Sequence, residues 1–260
     1  MLEISAVIIT LNEEKRLARA LESLSASPAV ADEILVVDSG STDRTAEIAS
    51  RYGARVIAHP WEGYAGQKNF AASQAKHDWI LSLDADEALS APLRESLLRL
   101  KQEGPGDAAG CVMPRAAFYQ GRWIRHSGWY PDFKLRLYDR RRGRWVGDYV
   151  HEHVEASGPV KNLPGDLEHY TCDSFAEHLR TLDRYTSLAA EESFARGKRQ
   201  SAILLLEAML AGPPWKFFET YFVRQGFRDG FQGLVIAMMA GFYVFLKYAK
   251  LWKMVRGNRE

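Results

Sequence analysis

Two hydrophobic periods alternate over the first hundred residues. Residues 5–10, 33–38, 55–58 and 79–83 are short, apolar, β-branched runs with little polar alternation. Between them Leu17, Leu21 and Leu24 recur at helical spacing within 13–24, and 43–51 and 64–75 read as two further helices. Strands without alternation are buried on both faces, so the pattern predicts an α/β fold, a mostly parallel sheet with helices on both faces. Ligands on such sheets bind beyond the carboxyl ends of the strands.

The residues that follow the strands are polar in every case: Asn12-Glu13-Glu14, then Asp38-Ser39-Gly40-Ser41-Thr42-Asp43, then His59, then Asp84-Ala85-Asp86-Glu87. A purely structural sheet has no need of this. The last group is the most telling, because an Asp-x-Asp at the end of a buried strand suits a hard divalent cation, Mg²⁺ or Mn²⁺, shared with substrate phosphates. An acidic loop capping the next helix is the plain alternative. The chain has neither a Gly-x-Gly-x-x-Gly nor a Gly-Lys-Ser/Thr phosphate loop, so a nucleotide would be held by another route.

From about residue 109 the pattern becomes irregular. Short strands at 110–113, 134–138 and 150–154 are separated by Gly, Pro, Trp and Arg, as in a partly antiparallel half that builds a substrate site. After Cys172 the chain turns helical, with Ser174 and Glu177 forming a capping box for a helix to about Arg196. The expected division is therefore 1–172 (a regular half, 1–108, and an irregular half, 109–172) and a helical region, 173–260. Residues 230–246 carry no charge, are flanked by Trp215, Phe218, Phe222, Lys247, Lys250 and Lys253, and fall short of a full membrane span. They read as a membrane-associating interfacial helix, with a core helix and a true span as alternatives.

Charge and cysteine content narrow the picture. With 34 Lys+Arg against 33 Asp+Glu, the chain is not a general nucleic-acid binder. The basic run 140–144 reads as a solvated or lipid-facing patch. Two cysteines exclude a disulfide framework and fit a reducing compartment. The chain opens directly on a strand, so no signal peptide is expected.

Ile8-Ile9-Thr10-Leu11-Asn12-Glu13-Glu14, Val36-Val37-Asp38-Ser39-Gly40-Ser41-Thr42-Asp43, Gly66-Gln67-Lys68-Asn69 and Leu83-Asp84-Ala85-Asp86-Glu87 together resemble glycosyltransferase family 2, inverting nucleotide-sugar enzymes of GT-A fold. Asp132-Phe133-Lys134-Leu135-Arg136-Leu137 and Val150-His151-Glu152 are similar to the branch that includes bacterial lipopolysaccharide-core β-1,4-glucosyltransferases.

The resemblance implies a GT-A-type, Rossmann-like sheet and a set of roles. Asp38 accepts hydrogen bonds from the base or ribose, with Thr10, Asn12 and Glu13 lining the same pocket. Lys68 contacts the nucleotide or its phosphates, or is a solvated helix lysine. Asp84 and Asp86 flank the donor diphosphate, Asp86 on the metal and Asp84 on the ribose or a metal-bound water. His151 is a further metal ligand or diphosphate donor, and Arg136 grips the diphosphate. Either Asp132 or Glu152 is the base, and Asp132 follows Pro131 where the family usually has Glu. The implied donor is UDP-glucose. The implied acceptor is a lipid-linked saccharide such as an inner-core heptose, at the cytoplasmic face of a bacterial inner membrane, where the protein is peripheral. A sugar-phosphate nucleotidyltransferase and a non-catalytic nucleotide-sugar-binding subunit are the rival readings.

Overall fold

The computed structural model describes residues 1–147, 152–196 and 202–257. They form two compact units, Met1–Ala116 with Asp132–Tyr170, and Ala117–Pro131 with Thr171–Glu260.

The first unit is built on the strands expected from the pattern: β1 (Ile4–Thr10), β2 (Glu33–Asp38), β3 (Arg55–Ala58) and β4 (Trp79–Asp84). They pair in parallel in the order β3-β2-β1-β4. Beyond β4 the sheet becomes antiparallel. β8 (Asp132–Asp139) pairs with β4, and β6 (Gly110–Tyr119) pairs with β8. β12 (Leu167–Tyr170) and the short β5 (Glu87–Leu89) close that side.

Both faces of the parallel part are covered, and the side chains sort by strand parity. Ile4, Ala6, Ile8, Leu81 and Leu83 pack with Leu17, Leu21 and Leu24 of α1 (Leu17–Ser25) and with Leu93 and Leu97 of α4 (Ala91–Glu103). Val7, Ile9, Leu35, Val37 and Ile80 pack with Ala71 and Ala72 of α3 (Tyr64–Gln74) on the other face. Leu21 is fully buried in the first core. Leu21→Ala is therefore expected to cost about 2–5 kcal/mol, read as a lower urea midpoint at unchanged slope.

Two helices start later than their patterns suggest. Residues 13–16 form a turn in which the Glu13 carbonyl accepts from Arg16 and Leu17 N–H. Asp43 accepts from Thr45 N–H at 3.0 Å, so α2 runs Thr45–Arg51. The 140–144 run is a free basic patch only in part: Arg141 and Arg144 are exposed, but three of its arginines are engaged by the fold. Arg140 donates to the Ala72 and Ala75 carbonyls, Arg141 pairs with Asp139, and Arg142 donates to the Asp107 carbonyl. Their donors are spent on the fold's own acceptors.

In the second unit β7 (Arg122–Ile124) pairs antiparallel with residues 117–119. Tyr119, Ile124, Cys172 and Ile236 form a small core. Asp229, 2% exposed, accepts from the Arg125 and His126 N–H groups, His126 Nδ1 and Ser127 Oγ, which ties that loop down. α5 (Phe175–Ala195) starts at the expected cap, with Glu177 N–H donating to Ser174 Oγ at 3.1 Å. α6 (Ala202–Phe218) and α7 (Gly230–Gly257) follow, joined by a π-helical turn (Glu219–Val223) and a 3-10 turn (Gly226–Asp229). The segment 226–256 is the one helix among the described residues long and apolar enough to cross a membrane.

Candidate active site

The polar residues after β1, β2, β3 and β4 converge, as the strand-end rule requires. The β1 and β2 loops are laced together by their own side chains. Asn12 sits at φ 57° and its Oδ1 accepts from Thr42 N–H at 2.8 Å, while its N–H donates to Ser41 Oγ. Glu13 N–H donates to Thr45 Oγ1, and its carboxylate lies 3.8 Å from Arg16. Asp38 is buried and accepts from Ser41 N–H at 2.9 Å and from Ser41 Oγ. Asp38 thus shapes its own loop. Thr10 is buried and its Oγ1 has no partner among the described residues.

The Gly66-Gln67-Lys68-Asn69 stretch lies in α3, and each polar side chain has a separate task. Gln67 is fully buried and ties the β2 and β3 loops, donating to Ser39 Oγ at 3.0 Å and meeting His59 Nδ1 at 3.1 Å. Asn69 exchanges two hydrogen bonds, both 2.9 Å, with the backbone of Trp145. That clamp presents the Trp145 ring to two cations, Lys68 Nζ at 4.1 Å and Arg136 Cζ at 5.3 Å from its centroid. Lys68 is 2% exposed and reaches Asp84 Oδ1 at 2.8 Å. The solvated-lysine reading is therefore corrected: the helix face that carries Lys68 packs on the sheet.

From Lys68 a chain of alternating charges runs through the unit. Asp84 Oδ2 meets Arg136 at 2.7 Å, Arg136 meets Glu87 at 2.7 Å, and Glu87 meets Arg115 at 3.3 Å. Arg115 then meets Asp132 at 2.7 Å, and Asp132 meets Lys134 at 3.0 Å. Glu87 is the centre of this chain. It is fully buried, and its second oxygen accepts from Asp84 N–H at 3.1 Å.

The electrostatics follow. Burial opposes ionisation of Asp84, but Arg136 and Lys68 outweigh it and hold its carboxyl far below the usual carboxylate range. Burial likewise opposes the charge on Arg136, and Asp84 and Glu87 outweigh it, so the guanidinium stays protonated. Asp132 is also held low: burial works against ionisation, and Arg115 and Lys134 prevail.

Asp84 has both oxygens engaged by cations, whereas Asp86 has not. Asp86 is a quarter exposed and faces His169 Nε2 at 3.3 Å, beside a shallow cleft lined by Arg16, Arg19 and Tyr170. One carboxylate and one imidazole form an oxygen–nitrogen donor pair. Among the described residues no three His, Cys, Asp or Glu converge on a metal-sized site, so further ligands would come from substrate and water. His151 lies outside the described residues. Glu152 Oε1 is 3.8 Å from Lys68, and its Oε2 is buried without a partner among the described residues.

Sequence reasoning did not find Arg115 or His169, and gave no individual role to Glu87 or Trp145. An arginine inside an apolar strand, as at Arg136, was the available signal, since a buried guanidinium requires a carboxylate partner. His169 carried no signal, because only the antiparallel pairing of β12 with β5 brings it opposite Glu87 and near Asp86.

The family model described as Glycosyl transferase family 2 matches residues 5–154. An uncharacterized glycosyltransferase of Rickettsia felis is 34% identical over 261 residues, covering 96% of this chain and 90% of that protein. The lipopolysaccharide core biosynthesis glycosyltransferase LpsC of Rhizobium meliloti is 34% identical over 259 residues, covering 97% of this chain and 93% of that protein. Among solved structures, glucosyl-3-phosphoglycerate synthase from Mycobacterium tuberculosis, in complex with Mn²⁺, uridine diphosphate and phosphoglyceric acid, is 27% identical with a TM-score of 0.36. That match covers 46% of this chain and 44% of the synthase.

Proposed function

The chain belongs to glycosyl transferase family 2 and is a glycosyltransferase, and from that premise we propose that it moves glucose from UDP-glucose, with inversion, to a lipid-linked saccharide. A heptose of the lipopolysaccharide inner core, met at the cytoplasmic face of the inner membrane, is the acceptor. The LpsC relative supports the acceptor class. The observation that carries the reading is the partly buried charge chain from Lys68 to Lys134, which links the acidic motif to a carboxylate, Asp132, that stays one-third exposed.

In this reading residues 1–108 hold the donor and 109–172 the acceptor. Asp38, with Thr10, Asn12 and Glu13, receives the nucleoside. The unpartnered buried Thr10 Oγ1 and Arg136 Nε support a ligand there, since such groups call for one. Lys68 and Arg136 face the diphosphate, and Asp84 keeps both cations in place. Asp86 and His169 would hold a divalent cation, whose chemistry is to offset the charge that builds on the departing UDP.

Asp132 takes the proton of the acceptor hydroxyl as its oxygen attacks the anomeric carbon from the face opposite UDP. The new C–O bond forms while the bond to the diphosphate oxygen breaks. Glu152 is the second candidate for this role, and its buried, unpartnered oxygen is the observation in its favour.

The test is transfer of labelled glucose from UDP-glucose to a heptose-bearing lipid acceptor, with pyrophosphate release from UTP plus sugar phosphate as the rival outcome. Asp132→Asn is expected to lower kcat roughly 10²–10⁴-fold, more than Glu152→Gln does. Because the Asp132 carboxyl is held below its ordinary value of about 3.9, it is ionised from about pH 5 to about pH 8. Its removal should therefore scale the rate evenly across that range. A wild-type acid limb there that vanishes in Asp132→Asn would show that Asp132 titrates in that range, against the lowering by Arg115 and Lys134, and one that persists in Asp132→Asn would belong to another group.

A further inference from the structure

In the second unit the helices α6 and α7 are packed inside out. They run antiparallel, with Gly212 against Val244, Pro213 against Gly241, and Leu205 against Leu251 and Val255. The contact is made by small residues. A Cβ on Gly241 would lie 2.9 Å from the Pro213 carbonyl oxygen, and one on Gly212 would lie 2.8 Å from Val244. Apart from the cluster at Leu205, Leu251 and Val255, large apolar side chains of both helices are left exposed.

On α7 and the turn before it, Phe227, Phe231, Leu234, Met238, Phe242 and Phe245 recur every three or four residues and are all exposed, Phe231 at 66% and Met238 at 60%. On α6 and its π-turn, Leu206 with Leu210 and Phe218 with Phe222 form two exposed pairs, each four residues apart. Only 22% of the most apolar window of α7 is buried, so α7 is not the core helix of a water-soluble bundle. In water a hairpin gains by burying its large side chains between its helices. Close backbone contact through glycine, with bulk outward, is the arrangement that hydrocarbon favours.

α7 has a third neighbour, and it decides the orientation. α5 runs alongside it in the same direction. Cys172 shares a core with Ile236, Asp183 accepts from Lys250 at 2.6 Å, and Ala190 packs with Leu251 and Val255. The outer face of α5 carries exposed Arg180, Arg184 and Glu191. A helix that polar along its flank cannot accompany α7 through a bilayer core. Both ends of the hairpin are basic as well: Arg122, Arg224 and Arg228 stand at the turn end, and Lys247, Lys253 and Arg256 at the other. A flat hairpin puts both basic ends at the headgroups of one leaflet.

We infer that α6 and α7 lie in the plane of an anionic phospholipid leaflet as a monotopic anchor, with the Phe231–Phe245 stripe in the acyl region and α5 on the water side. The stripe is about 21 Å long at 1.5 Å per residue. The inference rests on the membrane reading above for its choice of partner. It extends that reading from surface attachment of one helix to embedding of a glycine-packed pair.

The experiment uses the full chain and vesicles of phosphatidylcholine, with and without phosphatidylglycerol. The chain is expected to float with the anionic vesicles and to remain partly bound in high salt. Neutralising Lys247, Lys253 and Arg256 should weaken binding roughly fivefold per charge. Phe231→Glu/Met238→Glu/Phe242→Glu should lower the bound fraction at least about tenfold. A fluorophore on Met238→Cys should be quenched by nitroxide on lipid acyl chains, and one on Arg180→Cys by an aqueous quencher. Those single substitutions sit at exposed positions, so the result does not hang on the triple variant's folding.

Wild-type chain left unfloated, or a bound Met238→Cys probe open to the aqueous quencher, overturns the inference. So does a lipid-free dimer in which that probe is shielded, since a second copy would then cover the face. UDP-glucose turnover is measured on the same samples, so loss of lipid binding and loss of the transferase reading are told apart.

Discussion

Asp86→Asn is expected to lower the transfer rate by roughly 10²–10³-fold, the scale of losing one preorganised group that offsets transition-state charge, while leaving thermal stability almost unchanged. The two halves of that statement have different origins. In the proposed reading Asp86 lies where the departing diphosphate and its cation would meet the chain, and its charge would then matter to turnover. It is also a quarter exposed with His169 as its partner at 3.3 Å, and a partly exposed pair of this kind contributes little to folding. His169→Ala should follow the same pattern, with a higher Mn²⁺ or Mg²⁺ concentration needed for half-maximal rate. Asp84→Asn should behave otherwise: it strips the partner from both Lys68 and Arg136, so activity and stability fall together. Kinetics with a metal titration, set beside thermal melts of the three variants, check this. An Asp86→Asn enzyme with wild-type kcat would remove Asp86 from the reaction.

Glu87→Ala carries the largest expected effect on stability, about 3–5 kcal/mol, because it leaves two arginines partly or wholly buried without their shared carboxylate. It also removes the acceptor for Asp84 N–H. Glu87→Gln should cost less, since an amide oxygen can still accept from one arginine. Activity should drop in both, through displaced Asp84 and Asp132 rather than through contact with substrate. Urea unfolding of the two variants gives the measurement. A loss below about 1 kcal/mol for Glu87→Ala would show that the charge chain is dispensable to the fold.

Sequence and tertiary structure contributed different kinds of information. The four parallel strands were legible because each is a short apolar run ended by turn residues, and burial on both faces forces that pattern on any parallel strand. The strand-end residues Asn12, Asp38, Asp84 and Asp86 were legible for the same reason: the topology delivers every strand's carboxyl end to one edge. The cap at Ser174 was legible because capping is local, set by residues three apart.

What was not legible depends on contacts between distant segments. Glu87 looked like one more loop acid after Asp84 and Asp86, yet β5 turns it inward against Arg136 and Arg115, from strands about 50 and 30 residues further on. Lys68 read either as a nucleotide contact or as a solvated lysine, in a helix whose polarity gives no clear face, and only the clamp of Asn69 on Trp145 reveals the ring beside it. The apolar tail shows the division most plainly. Composition by itself determined that 230–246 seeks an apolar environment. Whether the large side chains face each other or face outward was decided by the close approach of Gly212 and Gly241 to the opposite helix, a property of two packed helices that one helix's hydropathy does not contain.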